Sequence, residues 1–173
     1  MPIVREIKYD GFVFRSKIEA QWYVFFTSLG LEVHYESETF ALQTSDNRTV
    51  NYLPDFYLPD LDCFVEIKLE KNPLPIECHK CFLLAQQTKK NVFLFYQTIG
   101  TKMNGYKYFG ESGAFLPLNR FAECPTCGFF DICYQGRLSA MRCKCNPRSK
   151  LTNSASHAIQ EAIVKVRSER FGA

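Results

Sequence analysis

Tyr52-Leu53-Pro54-Asp55-Phe56-Tyr57-Leu58-Pro59-Asp60-Leu61-Asp62-Cys63-Phe64-Val65-Glu66-Ile67-Lys68-Leu69 is the stretch on which the fold turns. Two short apolar runs flank a segment rich in Pro and Asp, the pattern of two neighbouring β-strands joined by a turn. Asp55 closes the first run. Glu66 and Lys68 stand two apart inside the second, so on a strand they share a face, while Val65, Ile67 and Leu69 form the other face, expected to be core. A carboxylate and an ammonium within an apolar strand are costly to desolvate unless paired or used. If the two strands pair, Asp55 comes beside Glu66, and two carboxylates and a lysine share one patch of sheet. Oxygen ligands of that kind suit a hard divalent cation such as Mg²⁺. Such an ion polarises a phosphate and lowers the pKa of bound water, and a nearby lysine orients that water or stabilises developing charge. The plain alternative is a turn aspartate and a partly exposed Glu–Lys pair of the kind that contributes little.

Upstream, Tyr9-Asp10-Gly11-Phe12 carries a two-residue hairpin signal. Ile18, Trp22, Phe25, Phe26 and Leu29 then recur at helical spacing, and Gly30 supplies the stop. Ser16-x-x-Glu19 reads as a capping box, in which Glu19 bonds back to the Ser16 amide. Leu31–Gln43 reads as a first core strand, Thr49–Tyr57 as a second that delivers Asp55, and Cys63–Leu69 as a third. Pro54 removes one ladder bond and so marks an edge or a strand end. Asp60 and Asp62 read as turn residues.

Beyond the breaker Lys71–Pro75, Ile76–Lys89 reads as a helix, with Cys78 and Cys81 as semi-buried thiols rather than a metal pair. Val92-Phe93-Leu94-Phe95-Tyr96 reads as a strand buried on both faces. Gly100–Phe121 is weakly patterned, with one strand expected at Tyr106–Phe109. Asn153–Arg170 carries an apolar stripe of Ala155, Ile159, Ala162, Ile163 and Val166, with Asn153 or Ser154 as cap. That helix is expected to pack on the body.

Pro54-Asp55 followed, after ten intervening residues, by Glu66-Ile67-Lys68 resembles the signature of the PD-(D/E)xK nuclease superfamily. The resemblance covers about residues 10–97, and the order helix, strand, strand, strand, helix, strand read from periodicity matches that family's core. It implies an α/β fold, a mixed sheet with a restriction-endonuclease-like core, and cleavage of DNA phosphodiester bonds with Mg²⁺ or Mn²⁺. It also implies that Asp55 and Glu66 hold the metal, that Glu19 on the first helix and the carbonyl of Ile67 complete its ligands, and that Lys68 positions the attacking water. Glu36 and Glu38 are the next acidic candidates if Glu19 serves only as a cap.

Five of the eight cysteines fall within residues 124–145. Cys124-Pro125-Thr126-Cys127-Gly128 resembles the knuckle of a zinc ribbon, and Cys143-Lys144-Cys145 offers a second, tighter pair. Four thiolates satisfy a structural Zn²⁺. The second pair departs from Cys-x-x-Cys, so Cys133 stays open as a substitute ligand. Phe129–Tyr134 and Arg137–Arg142 are expected to form the connecting hairpin.

A chain of 173 residues, 46% of them apolar, suits one medium domain, or one domain with a small module. We expect residues 1–119 to form the nuclease-like core and 120–173 the zinc-ribbon-like module and last helix. The first carries 12 Lys+Arg against 14 Asp+Glu and the second 9 against 4, so positive charge gathers where nucleic acid is expected to bind. No apolar run spans a bilayer and no secretory leader is visible, which argues for a cytoplasmic, reducing setting and against a disulfide scaffold. The expected partner is DNA, with a homodimer or a partner protein open. A non-catalytic zinc-containing nucleic-acid adaptor and a junction-resolving or transposition endonuclease are the competing functional readings.

Overall fold

The computed structural model describes residues 6–69, 75–96, 99–100, 105–110, 115–145 and 156–171. Its first element is the hairpin of β1 (Ile7–Tyr9) and β2 (Phe12–Phe14), turned by Asp10 and Gly11, both at positive φ, as the Asp-Gly pair leads one to expect. Helix α1 (Lys17–Ser28) starts at Ser16, whose hydroxyl accepts the Glu19 N–H at 3.3 Å, and stops before Gly30 at φ +74°. Trp22, Phe25 and Phe26 project from it into the core against Phe95, Phe121 and Phe56, with ring centroids 4.9, 5.2 and 5.3 Å apart respectively.

The expected first strand is broken in two: β3 (His34–Tyr35) and β4 (Phe40–Gln43) belong to different sheets. The reason lies in the alternation. Val33 and Tyr35 are odd positions while Phe40 and Leu42 are even, so one straight strand would send half of them to the wrong face. Glu36, at φ +44°, turns the chain between them. The expected second strand also divides, into β5 (Thr49–Tyr52) and β6 (Phe56–Leu58), at Pro54, which has no N–H for a ladder. β4 and β5 pair as a separate hairpin. A 3-10 turn at Pro59–Leu61 and Asp62 at φ +45° lead into β7 (Cys63–Lys68). Leu69, expected in the core, is 69% exposed because the strand ends before it.

Helix α2 (Pro75–Thr88) leads to β8 (Asn91–Tyr96), which runs parallel to β7. β9 (Gly105–Tyr108) follows close to the expected strand. Gly105 is required there, since a Cβ would lie 2.7 Å from the Phe95 ring. β10 (Phe115–Glu123) lies largely within the stretch that showed little pattern. It pairs with β9 and with β11 (Phe130–Tyr134), giving the seven-stranded order β11-β10-β9-β8-β7-β6-β3. Neighbours are antiparallel except β7 and β8. The fold is thus mixed α/β with a mostly antiparallel sheet.

The hairpin expected between Phe129–Tyr134 and Arg137–Arg142 does not form. β11 pairs with β10 instead, and the later segment holds a 3-10 turn at Leu138–Ala140. β10 therefore runs across the point between residues 119 and 120 where the composition suggested a division. Its Phe121 is the physical reason: its ring packs among Trp22, Phe25, Phe26 and Phe95. Helix α3 (His157–Ser168) is capped by Ser156, whose hydroxyl accepts the Ile159 N–H at 3.3 Å; Asn153 and Ser154 lie outside the described residues. Ile159, Ala162, Ile163 and Val166 are buried, and the helix lies against α1 and β10.

One core, with α1 and α3, covers the sheet face bearing Val65, Ile67, Phe93, Phe95 and Phe121. A second, with α2 and the β4–β5 hairpin, covers the face bearing Phe64, Val92, Leu94 and Tyr108. Among the described residues no helix is long and apolar enough to cross a membrane. Phe121→Ala is expected to cost about 3–5 kcal/mol, as deletion of a fully packed ring does. Denaturant unfolding followed by the fluorescence of Trp22, the only tryptophan, should shift as one transition. An unchanged midpoint would mean that β10 and β11 are not part of the main core.

Candidate metal and catalytic site

Antiparallel pairing of β6 with β7 sets Phe56 opposite Val65. Continued by one residue, that register sets Asp55 opposite Glu66, as the sequence leads one to expect. Asp55 is buried, with its Oδ2 accepting the Ile67 N–H at 2.7 Å and its Oδ1 accepting Arg15 Nη2 at 3.2 Å. Its own N–H reaches Glu66 Oε2 at 3.4 Å. Glu66 accepts the Tyr52 hydroxyl on Oε2 at 2.7 Å and pairs through Oε1 with Lys68 Nζ at 2.5 Å. Lys68 also lies 3.9 Å from Glu77 at the start of α2.

Glu19 enters from the first turn of α1. Its Oε1 accepts the Ser16 hydroxyl at 2.6 Å and its Oε2 accepts the Tyr35 hydroxyl at 2.7 Å. Ser16 thus caps the helix and orients the Glu19 carboxylate at once. Glu36 hangs from the bend after β3, where its N–H donates to the Asp55 carbonyl at 2.9 Å. Oxygens of Glu19, Glu36 and Asp55 all lie within 4.8 Å of one another. Glu66 is outside that trio but adjoins Asp55, and Ile67 meets the group through its amide. Glu38, the other reserve candidate, lines a cavity one step along the sheet.

The electrostatics follow from burial. The Asp55 carboxyl is held well above the ordinary aspartate value, first by desolvation and then by Glu66, with Lys68 opposing. Desolvation works against the Lys68 ammonium, but Glu66 and Asp55 outweigh it and raise its pKa. Desolvation also lifts Glu36, against the pull of Arg15, whose guanidinium pairs with Glu36 and Asp55 together. Arg15, Tyr35 and Tyr52 are the site residues that the sequence did not single out. Only Arg15 carried a signal, as the cation one residue before the α1 cap.

A second cluster sits at the far end of the sheet. Sulfurs of Cys124, Cys127, Cys143 and Cys145 lie within 4.8 Å of one another, a set suited to a tetrahedral ion such as zinc. Cys124 and Cys127 belong to the turn joining β10 to β11, closed by the Gly128 N–H on the Cys124 carbonyl at 2.9 Å. The Cys127 backbone N–H, donating to the Cys124 sulfur, lowers that thiol to about 6, toward the thiolate a metal requires. Cys133 is buried in β11 apart from this set, and burial pushes its thiol up to about 12. Cys78 and Cys81 lie on α2, and Cys81 is buried with its sulfur 3.7 Å from the Tyr52 hydroxyl.

Comparison with protein-family models, with curated proteins and with solved structures finds no match to the chain.

Two outcomes are expected. In metal-free buffer at pH 7–8, Asp55→Asn raises the melting temperature, because it removes a buried charge yet keeps the acceptor for Ile67. Folding raises the Asp55 pKa, so the native state binds the proton more tightly and stability falls as pH rises above the ordinary value of 3.8. The gain from the substitution should therefore vanish as pH falls to that value, which thermal melts across pH will show. For the cysteines, metal analysis of purified protein should find one equivalent of zinc, lost in a Cys124→Ser, Cys143→Ser double variant and kept in Cys133→Ala.

Proposed function

We propose that the protein is a divalent-metal-dependent nuclease that hydrolyses DNA phosphodiester bonds, a member of the PD-(D/E)xK group by its chemistry. The observation that carries this reading is the meeting of Asp55, Glu66 and Lys68 in one patch, with Lys68 Nζ 2.5 Å from Glu66 and the Asp55 carboxylate on the Ile67 amide. The order α1, β3, β6, β7, α2, β8 supports it, since helix, strand, strand, strand, helix, strand is the order the resemblance implies, with the β4–β5 hairpin between the first two strands.

The donor set fits a hard cation. It is all oxygen, it is partly desolvated, and its most buried member, Asp55, resists ionisation until positive charge is supplied. Asp55, Glu66 and the Ile67 carbonyl would hold the ion, with Glu19, or Glu36 in its place, completing the set. A bound Mg²⁺ or Mn²⁺ supplies Lewis-acid polarisation of the phosphate and acidifies bound water. Lys68 holds a water on the Glu66 side and places positive charge where the pentavalent phosphate gathers negative charge. Tyr52 fixes the Glu66 carboxylate through Oε2 and so leaves Oε1 facing Lys68. Tyr35 and Ser16 fix Glu19 likewise. The cysteine cluster takes a structural Zn²⁺, and the Lys and Arg of the last third of the chain grip phosphates without reading sequence. Such thiolates belong in a reducing compartment.

Incubation with Mg²⁺ or Mn²⁺ and a panel of linear, circular, single-stranded, flapped and four-way DNAs is expected to reveal cleavage. Lys68→Ala should lower it by about 10²–10⁴-fold, the range supplied by groups that position protons, and Asp55→Ala should abolish it by removing a metal ligand, each with an unchanged circular dichroism spectrum. Salt-sensitive binding without cleavage under any divalent metal would instead indicate an adaptor that keeps the fold and not the chemistry. Cleavage confined to the four-way substrate would indicate a junction-resolving enzyme.

A further inference from the structure

The strands that carry the carboxylates also build a cavity that the proposed hydrolysis leaves unused. His34, Tyr57 and Phe64 are register partners across β3, β6 and β7. With Ser37, Glu38 and Lys90 they line a cavity of about 480 Å³, inside the roughly 300–1,000 Å³ range of small-ligand sites. Each strand places it beside the acidic patch. Phe64 precedes Glu66 by two residues on β7 and so shares its face, Tyr57 follows Asp55 by two, and Ser37 and Glu38 directly follow Glu36. Two residues of strand span about 6.6–6.8 Å, about the reach of one extended nucleotide.

The lining is aromatic and pre-set. The Tyr57 ring lies 4.9 Å from Phe64 and 5.9 Å from His34 between centroids. Its hydroxyl is tied to Asp62 at 2.8 Å and to Lys90 Nζ at 3.1 Å, so the ring has no freedom to collapse into the space. Lys90 is already paired with Asp62, and His34 Nε2 lies 2.8 Å from Glu32. With the Lys90 ammonium already paired and Glu38 on the wall, the cavity disfavours a phosphate. It favours a flat, neutral heterocycle whose edge meets the Glu38 carboxylate and the Ser37 hydroxyl.

We propose that this cavity is a nucleobase subsite, receiving the base of an unpaired nucleotide next to the phosphate held at Asp55 and Glu66. The proposal rests on the nuclease reading only for the position of that phosphate. Its consequence is a substrate class: a base enters such a cavity only out of the helical stack, which costs least where the DNA is single-stranded, frayed or flapped at the cut, and that is the substrate the cavity selects.

The test reads binding without hydrolysis. Single-stranded oligonucleotides with 5-iodouracil walked along their length are bound in Ca²⁺ and irradiated, and the crosslinked peptide is sequenced. The expected crosslink falls on Tyr57, Phe64 or His34. Ser37→Trp, at an exposed position, fills the cavity and is expected to weaken single-strand binding by about tenfold, the scale of one lost base stack, with unchanged melting and unchanged binding of blunt duplex. Crosslinks mapping elsewhere, or none, overturn the subsite, as does equal single-strand affinity of well-folded Ser37→Trp and the parent. The two readings fail separately. Cleavage with no crosslink in the cavity removes the subsite alone, and a crosslink retained by a protein that cuts no substrate removes the nuclease alone.

Discussion

Asp55 cannot be buried without help, and much of this end of the molecule supplies that help. Its carboxylate takes the Ile67 amide on one oxygen and the Arg15 guanidinium on the other. Around it stand Glu19, Glu36 and Glu66, so four carboxylates face two cations, Arg15 and Lys68, a formal balance of −2. Glu77, 3.9 Å from Lys68, makes the surroundings more negative still. A stability-driven design would not gather like charges in a desolvated place, because each adds to the cost of ionising its neighbours. An uncompensated pair of negative charges on oxygen ligands is what one divalent ion neutralises.

The opposite end of the sheet is tied to the same strands. Arg142, next to Cys143, forks onto the buried Asp131 of β11 through Nε and Nη2 and donates from Nη1 to the Leu61 carbonyl at 2.8 Å. Leu61 lies in the 3-10 turn between β6 and β7, the two strands that bring Asp55 and Glu66 together. A bidentate Arg–carboxylate contact with a buried partner is among the stronger polar contacts a protein makes. The segment that carries the second cysteine pair is thereby anchored on the turn behind the acidic patch. An ion in the cysteine set would restrain that segment and, through Arg142, the turn.

The local features were legible because they are written in neighbouring residues. The Asp10-Gly11 turn, the Ser16 cap, the apolar stripe of α1 and the buried run of β8 each follow from a period or a turn residue. The pairing of Asp55 with Glu66 was legible too, since a short Pro-Asp turn leaves two adjacent strands few registers. What escaped was set by tertiary contact. β10 shows little alternation because Phe121 packs on α1 while Asn119 is consumed in bonds to the Gly105 and Leu116 carbonyls. The break between β3 and β4 was present as a change of parity from Tyr35 to Phe40, but Glu36-Ser37-Glu38-Thr39 between them holds no Gly or Pro to mark it. Arg15, Tyr35 and Tyr52 act across 40, 16 and 14 residues of chain, to Asp55, Glu19 and Glu66, and no spacing rule connects such partners.

The strand breaks and the acidic patch have one cause. Glu36 adopts a positive φ, which costs a residue with a Cβ roughly 1–2 kcal/mol. Pro54 forfeits a ladder bond between β5 and β6. A continuous β3–β4 strand and a continuous β5–β6 strand would avoid these losses. They would also carry the pleat straight through Glu36 and Asp55, fixing both in a paired ladder and leaving no rim from which Glu19 and Arg15 could reach them. The breaks release the chain at the two positions where carboxylates from different elements must converge. Stability given up there is recovered on the covered face beneath, where Trp22, Phe25 and Phe26 of α1 meet Phe56, Phe95 and Phe121 ring against ring. Phe56 joins the two directly, since its side chain belongs to that aromatic core and its backbone follows Asp55.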